Sequence, residues 1–303
     1  MAASWKTHTK DRKFIFFNEA SERVASDPFF FIQGADCQLG LKDMYIAEKK
    51  GLPPPTGHYW EDEIKLAKKA VECINNMQPP PSFVVICGDL INAFPDADKE
   101  MRAQQEKDFK EIMSKLNPSI PLVCVCGNHD VGNQPTPESV AVYRSSFGDD
   151  YFSFWQGGVL FLVLNSQYYF DSTKIHQIQA EQEAWLDTML EEGKKKEARI
   201  VAFQHIPMFI KDVDEPDQYF NIPKNIRKPL LAKLESAGVT HIFCGHLHYN
   251  AYGLYKSMEI VTTSAIGYQL GKDTHGMRVV KVKGGSLEHS YHSLENFPKE
   301  ITL

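Results

Sequence analysis

No stretch of this 303-residue chain approaches the run of about 18 apolar residues that reads as a membrane span. The amino terminus, Met1 to Arg12, carries Lys6, Lys10, Asp11 and Arg12 where a signal peptide would be apolar. Both absences point to a soluble, cytoplasmic protein. An excess of basic charge is missing too, since 33 Lys and Arg against 39 Asp and Glu leave a formal net charge of -6. That balance excludes a general attraction to nucleic acid or to an anionic membrane, while a local cationic site, including one made by metals, could still bind phosphate. Cysteine is scarce. Six in a chain this long form no dense disulfide framework, and Cys87, Cys124, Cys126 and Cys244 lie in or beside apolar runs, so they read as reduced core thiols. The one-residue spacing of Cys124 and Cys126 favours a structural role over a redox or metal pair. Internal repeats and low-complexity segments are absent as well. This predicts a single domain over 28–295, with a leader over 1–27 packed on or near it, a tail over 296–303, and a monomer as the default assembly.

What is present is a composition that is 43% hydrophobic, enough to bury a full core. After a polar, partly helical-looking leader, Pro28 to Gln33 reads as a first buried strand that breaks at Gly34 and runs into Asp36-Cys37-Gln38. Residues 51–58 form a surface loop. Trp60, Ile64, Ala67, Val71 and Ile74 then recur at three- and four-residue steps, one apolar stripe of a helix that stops before Pro79. Phe83 to Cys87 is a short, wholly apolar run bounded by proline and by Gly88-Asp89, as expected for a strand covered on both faces. A second helix through Met101, Phe109 and Leu116 leads to a third such run, Pro121 to Cys126, whose exit reads Gly127-Asn128-His129-Asp130. Three strand-helix units with Gly and polar residues at each strand exit predict an α/β sheet with its site at the carboxyl ends of the strands. Tyr151 to Trp155 and Val159 to Leu164 read as a β-hairpin, followed by a helix through Ile178, Trp185 and Leu190. A strand at Arg199 to Phe203 ends in Gln204-His205-Ile206-Pro207. The acidic loop 212–217 and the run Lys194 to Lys196 read as solvated surface without a role. The apolar run ending at Phe243 opens onto Cys244-Gly245-His246-Leu247-His248, where Gly245 is expected to supply the bend that points both histidines at one volume. Segments around 252–255, 259–263, 277–283 and 286–292 resemble consecutive antiparallel strands punctuated by Gly284-Gly285.

The strand exits thus carry Asp36, Gln38, Asp89, Asn128, His129, His205, His246 and His248. Each alone has an ordinary explanation as a turn, cap or core residue. Together they recur at one kind of place from each third of the chain, which independent accidents do not do. Carboxylate, amide and imidazole suit Mn, Fe, Zn or a related first-row ion, whereas a calcium site would use oxygen alone. Two such ions about 3.5–4 Å apart can share a carboxylate, bring a bridging water toward ionisation at neutral pH and leave positions for phosphate oxygens.

In this order, Asp36-Cys37-Gln38, Gly88-Asp89, Gly127-Asn128-His129-Asp130, His205 and Gly245-His246-Leu247-His248 resemble the motifs of the calcineurin-like metallophosphoesterase superfamily, over roughly residues 30 to 250. Within it, the likeness leans to a subgroup of Ser/Thr protein phosphatases. The resemblance implies a four-layer α/β/β/α sandwich of two mixed sheets flanked by helices. It implies two divalent cations, the first on Asp36 and His248, the second on Asn128, His205 and His246, with Asp89 bridging. His129 would face the substrate and serve the leaving alkoxide, oriented by Asp130. A phosphorylated protein would be the substrate, attacked in line by metal-activated hydroxide. Two departures stand out. Gln38 replaces the usual histidine of Asp-x-His, offering a weaker amide ligand, and Gly88-Asp89-Leu90-Ile91-Asn92 lacks the phosphate-gripping arginine, for which Asn92 could substitute only by neutral hydrogen bonds. The alternatives are a phosphodiesterase of a nucleotide or lipid head group and a scaffold without turnover. The stretch 262–271 is expected to wall the cleft, and His8, His58, His176, His275, His289 and His292 to be plain surface histidines.

Overall fold

Phe29 and Phe31 point one way from their strand and Phe30 and Ile32 the other, and all four are buried, so this strand must be covered on both faces. The computed structural model describes residues 5–24, 28–283 and 286–303. Among them, strands form two sheets. One has the order Ser286–Ser293, Gly276–Lys283, Phe29–Gly34, Val84–Cys87, Leu122–Val125, and its last three strands run parallel. The other has the order Thr9–Lys10, Lys13–Phe14, Phe152–Gln156, Val159–Val163, Arg199–Phe203, Val239–Cys244, Met258–Thr262, Ala251–Tyr255, with a parallel centre from Val159 to Thr262.

Between the sheets Phe31, Val85 and Val123 meet Phe161, Phe203 and Phe243. The ring of Phe31 stacks on Phe83 at 4.6 Å and takes Phe161 and Phe203 edge-on at 5.6 and 5.7 Å. Outside the first sheet, Phe30, Ile32 and Ile86 pack on Trp60 and on Ile64, Val71 and Phe109 of helices Glu61–Asn75 and Lys99–Met113. Outside the second, Leu160, Leu162 and Ile242 pack on Leu186 and Leu190 of helix His176–Lys195 and on Leu230 and Leu234 of Lys224–Ser236. This is the four-layer α/β/β/α sandwich, and the parallel strands of both sheets end at the same edge of it.

Several local expectations change. The leader carries a strand pair at 9–14 that extends the second sheet through Lys13 and Ser153, and among its described residues the helical part is Glu19–Glu22. At the other end, Ile301 and Leu303 pack against the first core, and the Ile301 amide donates to the Gln78 carbonyl, so 296–303 is built into the fold. The four late strands split: Ala251–Tyr255 and Met258–Thr262 pair in one sheet, while Gly276–Lys283 crosses to the other and pairs with both Phe29–Gly34 and Ser286–Ser293. Gly284 and Gly285 lie outside the described residues. Helices Leu41–Lys49, Pro137–Phe147 and Lys224–Ser236 have no counterpart in the sequence reading.

Candidate metal centre

Asp36, Asp89 and Asn128 leave the first sheet, and His205, His246 and His248 leave the second, so the site occupies the seam where the two sheets end together. The backbone there is bent in an unusual way. Asp36, Gln38, Asp89, His246 and His248 all have positive φ, from +36° to +73°, a region that costs a non-glycine residue of order 1 kcal/mol or more and that clusters at functional sites. Gly245 is not the bending residue, contrary to expectation, because His246 and His248 take the left-handed conformations themselves. Gly245 is needed for closeness: a Cβ there would stand 2.5 Å from the Cys87 carbonyl and 2.7 Å from Asp36 Oδ2.

Asp89 Oδ2 lies 3.2 Å from His205 Nε2, which is also 3.0 Å from Asn128 Oδ1 and 3.1 Å from His246 Nδ1. One ligand atom from each of Asp89, His205 and His246 falls within 4.8 Å of the others. Asp36 Oδ1 stands 3.5 Å from His248 Nε2 and 3.9 Å from His205 Nδ1, and its Oδ2 accepts the His246 amide at 2.9 Å. Gln38 joins them at the edge, donating from Nε2 to Asn92 Oδ1 at 3.2 Å.

Each imidazole is pinned from behind by a main-chain carbonyl. His205 Nδ1 meets Cys87 O at 2.8 Å, His246 Nε2 meets Tyr219 O at 3.1 Å, His248 Nδ1 meets Tyr268 O, and His129 Nδ1 meets Asn92 O at 2.6 Å. A carbonyl only accepts, so each of these nitrogens carries a hydrogen, and in the neutral ring the other is a lone pair. In His205 and His248 that second nitrogen faces a carboxylate, of Asp89 and Asp36, and in His246 it faces His205 Nε2. Metal-ligating histidines are normally oriented in this way.

The resulting donor set fits a cation and little else. Asp89 Oδ2, Asn128 Oδ1, His205 Nε2 and His246 Nδ1 are acceptors crowded on one another, and Asp36 Oδ1 and Gln38 Oε1 are buried with no hydrogen-bond partner. Without a metal, a proton must serve. Burial would lower His205, but Asp89 and Asp36 carry it up to about 9. Burial holds His246 near 3 and His248 near 4, which keeps them neutral and able to ligate at pH 7. Burial would raise Asp89, yet His205 and His129 keep it well below the ordinary carboxylate range, whereas burial and the charge of Asp89 push Asp36 upward.

His129 stands beside this cluster, half-buried, with its amide on Asp89 Oδ1 at 2.8 Å and its ring 4.1 Å from that of Phe94. Asp130 does not orient it. The Asp130 carboxylate accepts the amides of Gly127 at 2.8 Å and Leu90 at 3.2 Å, tying two strand exits together, and the ring of His129 is set by the Asn92 carbonyl. The buried Arg102 guanidinium is committed to the carbonyls of Ala93, His129 and Asp130, and so braces the same loops. The side-chain oxygen of Asn92 faces Gln38.

The stretch after Thr262 does line the seam, through Tyr268 O on His248 and the Gly267 amide on Asp36 O at 3.0 Å. The acidic loop is not featureless surface. Glu215 accepts the amides of Ile210 at 2.8 Å and Lys211 at 3.0 Å and the side chain of Asn221 at 2.7 Å, and this brings Tyr219 onto the site. No periodicity or motif marks Tyr219, so sequence reasoning missed it. Of the six histidines expected at the surface, His58 and His176 are exposed, while His8, His275, His289 and His292 are half-buried, with His289 between Glu259 and Arg278.

Comparison with known proteins agrees with this geometry. The model of the calcineurin-like phosphoesterase family matches residues 55–250. Serine/threonine-protein phosphatase CPPED1 of Bos taurus is 45% identical over 285 residues, 94% of this chain and 90% of the relative. The protein of the same name from Homo sapiens is 44% identical over 293 residues, 96% and 92% of the two chains. Among solved structures, a dimetal phosphatase from Danio rerio shares the fold, with a TM-score of 0.61 at 16% identity over 88% of this chain and 97% of that one. The chain belongs to the calcineurin-like phosphoesterase family, hydrolases of phosphate esters that work with divalent metal ions.

Proposed function

We propose that this chain removes phosphate from phosphoserine and phosphothreonine in proteins, with two divalent cations held in the seam between its sheets. The observation that carries the reading is the set His205, His246 and His248, each with one ring nitrogen fixed on a main-chain carbonyl, the other turned toward Asp89 in His205, toward Asp36 in His248 and toward His205 Nε2 in His246. The substrate class is supported by the name of the mammalian relatives, serine/threonine-protein phosphatase. Asp36, Gln38 and His248 would hold one ion and Asn128, His205 and His246 the other, with Asp89 available to both. When bound, such ions supply charge for phosphate oxygens and a water acidic enough to ionise near neutral pH.

The other side chains hold and move protons. His129 keeps its Nδ1 hydrogen on Asn92 O, so Nε2 is the atom that exchanges a proton with substrate. Burial lowers its pKa, and an arriving phosphate dianion reverses that by favouring the imidazolium, which then protonates the leaving alkoxide of serine or threonine. Phe94 on the ring face and Asn92 at the ring edge hold this geometry while the substrate binds. Gln38 keeps its oxygen toward the first ion because its amide nitrogen is taken by Asn92. We also place the protein in a reducing cytoplasm, supported by the thiols of Cys37, Cys87, Cys124, Cys126 and Cys244, which are free and buried.

Manganese-replete protein assayed on nitrophenyl phosphate, its bis-ester and a phosphopeptide panel tests the reading. We expect the monoester and the phosphopeptides to be cleaved in preference. A preference for the diester would make it a phosphodiesterase, and failure on every ester would leave a fold without turnover.

A further inference from the structure

Tyr219 touches two ligand candidates of the same proposed ion by two different atoms. Its main-chain carbonyl accepts from His246 Nε2 at 3.1 Å, and its hydroxyl oxygen accepts from Asn128 Nδ2 at 3.0 Å. The second Asn128 amide hydrogen goes to Asn133 Oδ1, also at 3.0 Å, and the Tyr219 hydroxyl lies 3.4 Å from that same oxygen as its donor. An amide has two hydrogens and one oxygen, and here both hydrogens have acceptors on the side away from the seam. Only Oδ1 is then left to face His205 and Asp89. A flipped amide would instead turn an NH2 group, which repels a cation, into the donor set.

The loop that carries the tyrosine is also braced away from the site. Glu215 gathers the loop that carries it, and Arg227 grips the carbonyls of Val213 and Ile222 at 2.9 and 3.0 Å. Asn221 and Ile222, which follow Tyr219, are buried, the latter with its amide on Pro207 O at 3.1 Å. Tyr219 is 44% exposed, so the core does not require it, and its ring packs on Phe170, Phe220 and His246. A large side chain held on a braced loop, exposed on one side and hydrogen-bonded to a buried amide on the other, has its function in that hydrogen bond.

We infer that the Tyr219 hydroxyl is the positioning group of the second cation site: it fixes the Asn128 amide so that its oxygen, and not its nitrogen, faces the ion. The inference rests on the two-cation reading above. Its test is Tyr219→Phe, which keeps the ring, the loop and the carbonyl on His246 and removes only the hydroxyl. Chelator-stripped wild type and variant are titrated with manganese chloride by calorimetry, and the melting temperature of each stripped protein is recorded. We expect two binding events in the wild type. In the variant one of them weakens by about 10- to 100-fold, the other stays within about twofold, and the melting temperature of the stripped protein is unchanged. Asn133→Ala, which removes the other acceptor of the same amide, weakens the same event. Equal weakening of both events, or a Tyr219→Phe titration that matches the wild type, overturns the inference and leaves the metal reading standing. A wild type that takes up no manganese overturns both.

Discussion

Asp89 and His129 are joined by one hydrogen bond of 2.8 Å, amide to carboxylate, yet they carry different loads. Asp89 lies at the centre of the acceptor cluster, whereas His129 spends its Nδ1 on the Asn92 carbonyl and keeps Nε2 free. Asp89→Asn is therefore expected to abolish metal uptake, while His129→Ala keeps the metal and slows turnover by a factor of order 10² or more, as elemental analysis and steady-state rates on one preparation of each would establish. Loss of metal in both would refute the division. His205 sets the pH dependence. Its pKa in the metal-free fold, about 9, lies above its ordinary value, so at pH 7 it holds a proton that an incoming cation must displace. Apparent metal affinity should rise with pH by up to about tenfold per unit and level off above about pH 9, with roughly one proton released per chain at pH 7. Calorimetry in buffers of different ionisation enthalpy measures that proton directly, and a flat affinity between about pH 6 and 8 would contradict it.

The loops that leave the strands are the next scale, and their glycines set how closely they approach. A Cβ on Gly127 would fall 2.2 Å from both the amide and the Oδ1 of Asp89, with backbone and a buried carboxylate unable to yield. Gly127→Ala is expected to cost about 1–3 kcal/mol in a urea titration and to empty the site, although no ligand is replaced. A variant with the wild-type midpoint would show that the loops have slack. At this scale the sequence is informative where burial is two-sided. Val84–Cys87 is apolar throughout and Arg199–Phe203 is apolar after its first residue, so the polar residue at each exit stands out. It is uninformative where structure depends on a few polar contacts. Tyr219 sits in a loop organised by the carboxylate of Glu215, which has the composition of ordinary surface. Helix Lys224–Ser236 hides behind Pro229 in its interior. Helix Pro137–Phe147 did announce itself, through Thr136 as N-cap and proline in its first turn, a signal that apolar periodicity alone overlooks.

For the molecule as a whole, the layers were legible but the partners were not. The valines and methionine of Gly276–Lys283 mark a strand, yet its pairing with Phe29–Gly34 joins segments more than two hundred residues apart, and nothing local encodes that choice. What enforces it is the aromatic filling between the sheets. Phe83→Ala, which removes the stacking partner of Phe31, should cost about 3–5 kcal/mol in equilibrium unfolding while the ligand residues remain in place. A loss below about 1 kcal/mol would mean that the filling is not what aligns the sheets. The division of the ligands between the sheets has a mechanical corollary. Cations bound there would act as rivets through a laminate, and a free concentration of a hundred times the dissociation constant would contribute about 2.7 kcal/mol against delamination. A chelator should lower the melting temperature, and a metal-starved cell would then register the shortage as a shrinking amount of protein before it registered a slower enzyme.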